Sequence, residues 1–95
     1  MSKVILQGYI LVPETDLLAV KKELENHIHL TRDETGCLVF EVHQEQENTN
    51  RFNVYEEFSC KKAFDAHQDR VRNSKWGEVT TNVQRHYIIE VVDTE

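Results

Sequence analysis

The apolar residues of this 95-residue chain alternate between strand-like and helix-like spacing, and the order of that alternation restricts the fold. Residues 3–12 and 86–93 are rich in the β-branched and aromatic side chains that favour strands. Residues 37–46 place apolar side chains at every second position, and the polar turn 47–50 joins them to residues 52–58. This last run has the length and residue types of an antiparallel partner. The sequence therefore predicts four strands.

Two helical segments lie between the predicted strands. Residues 14–32, which follow Pro13, repeat apolar side chains at intervals of three and four, as an amphipathic helix requires: Leu17, Val20, Leu24 and Ile28. Ser59 has the residue type of an N-cap, and the helix that it precedes has one shared face: Ala63, Phe64, His67 and Val71. Asn73 or Ser74 can cap a further helical turn that contains Trp76.

The resulting order, β-α-β-β-α-β, is the split βαβ arrangement of ferredoxin-like α+β folds. It predicts a four-stranded antiparallel sheet with the helices on one face and the other face open. A chain of 95 residues has the size of one domain, and no linker, repeat or low-complexity run divides it. We therefore predict a single domain over residues 1–95.

The first and last strands along the chain carry apolar residues on both of their faces, which a sheet with one face in water would not require. In the last strand, for example, Ile88 and Val92 alternate with Ile89 and Val91. A chain this short also buries a modest core, so association with a second copy is a common way to gain burial. We expect a homodimer in which the open faces of two sheets pack together.

Composition and charge argue against several classes of partner. The formal net charge is −6 and the Lys and Arg residues are scattered, which is unlike a nucleic-acid-binding surface. No apolar run approaches the roughly 20 residues that span a bilayer, and Gln7 and Gly8 interrupt any signal-peptide core. Cys37 and Cys60 form no C-x-x-C pair, so free thiols in a reducing compartment are expected. The sequence predicts a cytoplasmic protein without nucleic-acid or membrane partners.

Several short motifs occur in an order that matches a known family. They are ETGCLVFEV at residues 34–42, RFNVYEEF at 51–58, AFDAH at 63–67, SKWG at 74–77 and RHY at 85–87. In this order and spacing the chain resembles the antibiotic biosynthesis monooxygenase family, whose small members include quinol and anthrone oxygenases. The resemblance covers nearly the whole chain and implies the dimeric α/β-barrel form of the fold.

The resemblance implies a cofactor-independent monooxygenase that oxidises a small aromatic or quinol-type substrate with dioxygen. No cofactor is expected, because the chain lacks flavin, haem and metal motifs. The haem-degrading relatives use an Asn on the first strand, where this chain offers Gln7 and Tyr9. Many members have a second histidine at the position of Arg72. The alternative is an isomerase or a binding protein without turnover. An isomerase for a phosphorylated compound would need a cationic pocket, and the nearest basic cluster is Arg70, Arg72 and Lys75.

His67 and Glu56 are the predicted catalytic pair. Glu56 shares strand parity with the apolar residues of its strand, so it points toward the helices and toward His67. A buried imidazole beside a carboxylate can be poised as a base near neutral pH. Alternatively, His67 is a core histidine bonded to a backbone carbonyl. Glu56 could instead form an ion pair at the rim of the sheet with a basic residue: Lys61, Lys62 or Arg70.

A group of aromatic residues is predicted to contact the substrate: Trp76, Phe40, Phe52, Phe58 and Phe64. Such a wall suits a flat polycyclic ligand, although aromatic residues are most simply part of the core. Trp76 is the first choice for ligand contact, because it begins a short helix beside the expected pocket. No metal site is predicted, since His27 and His29 are two positions apart on a helix and do not face each other.

Overall fold

The computed structural model describes residues 2–93 and confirms the predicted order of elements. Strands and helices follow one another along the chain: β1 Ser2–Leu11, α1 Leu17–Arg32, β2 Cys37–Gln44, β3 Arg51–Phe58, α2 Lys61–Arg72, α3 Lys75–Val79 and β4 Gln84–Asp93. The first three residues of the predicted first helix, Glu14–Asp16, form a 3-10 turn instead. No helix within residues 2–93 is long and apolar enough to cross a membrane.

The strands form an antiparallel sheet in the order β2-β3-β1-β4, which confirms the ferredoxin-like arrangement. β1 is central and pairs with both β3 and β4. In this register Leu6 lies between Glu56 of β3 and Ile89 of β4, so the three side chains share one face of the sheet. The helices pack on this face, where alternate residues of β1 and β3 are buried.

The core lies between the helices and the covered face of the sheet. The strands contribute a row of buried apolar side chains: Val4, Leu6, Ile10, Phe52, Val54 and Phe58. In α1 the buried residues are Val20, His27 and Thr31, whereas the predicted core residue Ile28 is only half-buried. A step of three from Leu24 reaches His27 and a step of four reaches Ile28, and both spacings are helical. The packing of α1 turns His27 inward, so a titratable side chain faces the core.

The N-terminal ends of the two later helices give one confirmed cap and one correction. The Ser74 side chain caps α3 by accepting a hydrogen bond from the Gly77 backbone N–H at 3.1 Å. The prediction of Ser59 as the cap of α2 is wrong, because Cys60 occupies that position without a side-chain cap bond. The backbone N–H of Ser59 instead donates to the Gly36 carbonyl at 2.8 Å. This bond ties the start of α2 to the turn between α1 and β2.

Gly8 occupies a point in β1 where the neighbouring strand leaves no room for a side chain. Its φ is +153°, and a Cβ at this residue would overlap the backbone carbonyl oxygen of His86 in β4. Gly8 pairs with Tyr87, whose side chain lies on the helix-covered side of the sheet. The close approach of the two strands therefore depends on glycine at this position.

The second face of the sheet is open and carries polar and aromatic side chains. Lys3 donates a hydrogen bond to Glu57 at 2.8 Å across β1 and β3. The ring of Tyr9 stacks on His86 with centroids 4.7 Å apart, and the guanidinium carbon of Arg51 lies 3.7 Å from the same tyrosine centroid. Glu57 thus faces away from the helices, as strand parity predicts, while Glu56 faces toward them.

The second half of β4 is exposed on both of its faces. Ile88, on the open face, is 64% exposed, and Ile89 and Val91, on the helix side, are 50% and 61% exposed. β4 is an edge strand, so its outer backbone groups also lack a neighbouring strand. Exposed apolar side chains on both faces of an edge strand are typical of a surface that a protein partner covers.

Candidate active site

A cavity of about 410 Å³ lies between the helices and the covered face of the sheet, and every strand and helix contributes to its wall. Phe40 of β2 and Trp76 of α3 give it apolar surface. Glu56 of β3 and His67 of α2 bring titratable groups to the same space. Its volume is in the range of small-molecule binding sites. The cavity is therefore the place in the described chain where a ligand and acid–base groups can meet.

The carboxylate that holds His67 is Glu34 rather than the predicted Glu56. The Nδ1 atom of His67 lies 3.0 Å and 3.1 Å from the two carboxylate oxygens of Glu34. Arg70, one turn further along α2, donates from Nε to the same carboxylate. Its Nη2 donates to the hydroxyl of the buried Thr31 at 2.9 Å. Glu34 is therefore fixed between a guanidinium and the imidazole.

The turn between α1 and β2 brings Glu34 to His67. Gly36 in this turn has φ +91°, a conformation that residues with side chains rarely adopt. A Cβ at Gly36 would lie only 2.6 Å from the Cβ of Ala63, so glycine is what permits the turn to approach α2. Ala63 and His67 are four residues apart and share a helix face. Glu34 and Gly36 both belong to the ETG motif, which is the sequence signal that could have identified Glu34.

His67 is a buried imidazole with one nitrogen left for the cavity. Because the carboxylate of Glu34 accepts a hydrogen bond, Nδ1 carries the proton and Nε2 keeps its lone pair. Burial lowers the pKa of His67 below its usual range, and the hydrogen bond from Nδ1 to Glu34 opposes this shift. His67 is therefore neutral at neutral pH and can accept a proton at Nε2, after which Glu34 would stabilise the cation.

Glu56 reaches the same space from the sheet without a hydrogen-bond partner for its buried Oε1 atom among residues 2–93. This oxygen lies 3.7 Å from Nε2 of His67, which is longer than a hydrogen bond. Burial, and secondly the charge of Glu34, raise the pKa of Glu56 to about 8. Glu56 is therefore a neutral acid at neutral pH. It can donate a hydrogen bond or a proton to a molecule that lies beside His67.

Replacing Glu56 with Gln is expected to change the pH dependence of stability. The folded protein keeps the Glu56 proton up to a pKa of about 8, whereas the unfolded chain releases it near the ordinary glutamate pKa of 4.5. The Glu56 contribution to stability is therefore fully present below pH 4.5 and is lost as pH rises toward 8. Gln does not titrate, so Glu56→Gln does not lose this contribution. Relative to the wild type, its free energy of unfolding should therefore rise by a few kcal/mol between pH 4.5 and pH 8.

Urea unfolding at about pH 5 and about pH 8 measures this difference, and Glu57→Gln is the matched control. Glu57 lies on the open face, where its hydrogen bond from Lys3 is the first cause that lowers its pKa. Its contribution to stability is lost only as pH falls through that lowered pKa, so the control difference should be level between the two pH values. If the difference in unfolding free energy between Glu56→Gln and the wild type is also the same at both pH values, Glu56 is not a buried neutral acid.

His27 lines the cavity, and sequence reasoning did not identify it as a site residue. Its ring stacks on Trp76 with centroids 4.5 Å apart and an interplanar angle of 6°, and it lies edge-on to Phe40. Its Nδ1 atom is buried without a hydrogen-bond partner among the described residues. Burial, followed by His67 and two arginines nearby, lowers the pKa of His27 to about 3. His27 is therefore neutral and holds the indole of Trp76 in place.

The predicted aromatic residues fall into two groups. Phe40 and Trp76 line the cavity. The other three are buried in the core and do not line it: Phe52, Phe58 and Phe64. The ring of Phe58 lies 4.9 Å from that of His67, centroid to centroid, and Phe64 packs edge-on against Phe58. Phe58 of β3 thus packs against both Phe64 and His67 of α2.

The basic cluster noted in the sequence is neutralised by acidic neighbours. Its three members each contact a carboxylate: Arg70 with Glu34, Arg72 with Asp69, and Lys75 with Glu78. This pairing leaves little positive charge at the cluster for a phosphate group. Across residues 2–93, no three His, Cys, Asp or Glu side chains are grouped closely enough to hold a metal ion.

The sequence profile of the antibiotic biosynthesis monooxygenase family matches residues 3–76. The matched span runs from β1 into α3 and includes Glu34, Glu56, His67 and Trp76. The chain belongs to this family. The resemblance found in the motifs is thereby confirmed. A search of curated proteins finds no match.

Solved structures with the same fold include proteins of this family from bacteria. A Nitrosomonas europaea protein named as a candidate antibiotic biosynthesis monooxygenase is 18% identical, with a TM-score of 0.76 over 98% of this chain and 89% of its own. A Bacteroides thetaiotaomicron protein named in the same way is 23% identical, with a TM-score of 0.74 over 99% of this chain and 88% of its own. A second protein from that organism, described as a possible oxidoreductase of unknown function, is 15% identical, with a TM-score of 0.75 over 95% of each chain. At these identities the likeness shows the fold.

Proposed function

We propose that this protein is a cofactor-independent monooxygenase that oxidises a small aromatic or quinol-type substrate with dioxygen. The observation that carries the proposal is the arrangement of His67, whose Nδ1 is bound by Glu34 while its Nε2 lies near Glu56 at the cavity. Family membership supports an oxygenase. The aromatic wall of Phe40 and Trp76 supports a flat substrate.

In the proposed reaction His67 removes the proton of a phenolic or enolic hydroxyl group through Nε2. The resulting anion passes electrons to dioxygen, a carbon–oxygen bond forms, and the peroxide then loses water. For a substrate XH₂ the balance is XH₂ + O₂ → XO + H₂O, in which four electrons pass from the substrate to dioxygen. One oxygen atom becomes the new carbonyl, and the other leaves with two hydrogens as water.

Glu56 supports this reaction as a neutral acid. Its buried Oε1 lies 3.7 Å from Nε2 of His67, so an oxygen atom of the substrate can lie beside both groups. A hydrogen bond from Glu56 to the developing oxyanion would lower the barrier, because a preorganised donor in a water-poor site costs no reorganisation. The proton that His67 has taken can then pass to the oxygen that leaves as water.

The test is oxygen uptake by protein dialysed against a chelator, with a panel of quinols and anthrones and no added cofactor. We expect uptake above the rate of spontaneous oxidation, with one water and one oxygenated product formed per dioxygen. Isotopically labelled dioxygen should place a single labelled oxygen in the product. Absence of protein-dependent uptake across the panel would refute the oxygenase.

An isomerase is the second candidate, and the base-and-acid pair of His67 and Glu56 is the observation that favours it. An isomerase that moves a proton between adjacent carbons of a hydroxy-ketone requires only a base, an acid and an oxyanion donor. Solvent deuterium exchange into a hydroxy-ketone substrate under nitrogen would detect this activity. Exchange without oxygen uptake would favour the isomerase, and tight binding with neither would favour a binding protein.

We also propose that two copies associate through the open faces of their sheets to form the dimeric α/β barrel. The exposed side chains of Ile88, Ile89 and Val91 support this, because a second copy would cover both faces of β4. Light scattering at micromolar concentration should give twice the 11.2 kDa mass of one chain. The change Ile88→Glu should shift the mass toward one chain, with Leu18→Glu, an exposed α1 position, as control. A single-chain mass for the wild type would refute the dimer.

The free thiols of Cys37 and Cys60 fit a reducing compartment, and we propose a cytoplasmic location. Fractionation of the source cells with an antibody against the chain tests this. Recovery with the membrane or secreted fraction would contradict it.

A further inference from the structure

Arg85, near the start of β4, is fixed at the edge of the cavity by contacts that leave its charge available. It pairs with Ile10 on the helix-covered side of the sheet and lines the cavity. Its Nη2 donates to the Thr80 hydroxyl at 2.7 Å, and its Nη1 donates to the Thr80 backbone carbonyl at 3.4 Å. Both acceptors are neutral, so these bonds orient the guanidinium without neutralising it.

No carboxylate within residues 2–93 forms an ion pair with Arg85. The two other arginines near the cavity, Arg70 and Arg72, contact Glu34 and Asp69. Arg32 and Arg51 also donate to neutral acceptors, the Phe40 carbonyl and the Asn53 side chain, but neither of them lines this cavity. Arg85 therefore presents an oriented and uncompensated positive charge to the cavity.

Arg85 lies at the solvent side of the cavity, opposite the titratable groups at its inner end. Arg85 is exposed, whereas Glu56 is buried. Along β1, Glu56 is in register with Leu6 and Arg85 with Ile10, a separation of four residues or about 13 Å between backbone positions. Arg85 and Glu56 therefore approach the cavity from points that are well separated along the sheet.

We infer that the ligand of this cavity carries an anionic oxygen group on its aromatic part and that Arg85 binds this group. The aromatic character of the ligand rests on the proposed function, and the negative charge of the ligand is what this inference adds. A guanidinium has five N–H donors, of which two bond Thr80, so donors remain for a carboxylate. Glu56, at the other end of the cavity, is neutral and does not repel this anion.

Two kinds of ligand share this chemistry, an aromatic carboxylate and a phosphate ester. A single guanidinium suits a carboxylate, which it can bind through two parallel hydrogen bonds. Phosphate sites usually combine several cations or backbone N–H groups. The basic residues that could assist Arg85 are paired with acids, which favours the carboxylate.

The test is calorimetric titration under nitrogen, so that binding is measured without turnover. The wild type should bind 2,5-dihydroxybenzoate more tightly than its neutral amide, 2,5-dihydroxybenzamide, by on the order of 10–100-fold. Arg85→Gln should remove this preference and leave the amide affinity within about twofold. Lys62→Gln, an exposed position on α2 with the same change in charge, is the control and should keep the preference.

Equal affinity of the wild type for acid and amide, or an unchanged preference in Arg85→Gln, would overturn the inference. Arg85→Lys keeps the positive charge but loses the paired N–H donors of the guanidinium, and should retain part of the preference for the benzoate over the amide. Phenyl phosphate that binds more tightly than the benzoate would identify a phosphate ester as the source of the anion. If the wild type prefers the benzoate but shows no oxygen uptake, the oxygenase is refuted and this inference stands. If oxygen uptake occurs but the benzoate and the amide bind equally, only this inference is refuted.

Discussion

Replacing His67 with Ala is expected to lower kcat for oxygen-dependent turnover by about 10²–10⁴-fold, the range that a general base contributes. Its Nε2 is the nitrogen that the Glu34 contact leaves free toward the cavity, and the lowered pKa keeps it unprotonated at neutral pH. The loss should appear in kcat more than in KM, because proton removal is required after binding. Steady-state oxygen uptake at neutral pH measures both constants.

The chemical role of His67 has a second consequence. A substrate whose hydroxyl is already ionised at the assay pH does not need a base, so the loss caused by His67→Ala should shrink as the substrate pKa falls. A series of ring-substituted quinols tests this dependence. His29→Ala, an exposed position on α1, is the control and should retain wild-type turnover. Turnover of His67→Ala within about twofold of the wild type, with the fold confirmed by circular dichroism, would contradict a base at this position.

The sequence predicts the fold because each element carries its own periodic signal. The strand parity of β3 separates Glu56 from Glu57, and the structure places them on opposite faces of the sheet, as that parity requires. The AFDAH motif likewise marks His67 on the buried face of α2. These are local properties, in which spacing along one strand or helix decides the direction of a side chain.

The contacts of the candidate site depend on packing between elements that are distant in sequence. Glu34 reaches His67 only because Gly36 lets the α1–β2 turn approach α2. His27 and Ile28 are both compatible with a helical stripe, and only the packing of α1 shows that His27 is the residue turned inward. Arg85 is prominent only when the acidic partners of Arg70 and Arg72, the other arginines near the cavity, are known. Spacing along the chain contains none of this information.

Replacing Glu34 with Gln is expected to lower kcat by up to about 10⁴-fold, the loss that the equivalent change to an amide causes in the serine protease triad. Arg70 donates from Nε to one Glu34 oxygen, so the amide oxygen of Gln should stay with Arg70. The amide NH₂ would then face Nδ1 of His67, which must become an acceptor and move its proton to Nε2. Nε2 would no longer be a base, although the imidazole would remain in place.

Three measurements separate this positioning role of Glu34 from a structural one. Nitrogen chemical shifts of the His67 ring should report the Nδ1-protonated tautomer in the wild type and the Nε2-protonated tautomer in Glu34→Gln. KM should change less than kcat, because Glu34 does not line the cavity. Asp33→Asn, the exposed neighbouring carboxylate changed to its amide, should leave both constants unaltered. If Glu34→Gln keeps the wild-type tautomer and yet loses turnover, Glu34 acts by some means other than orienting His67.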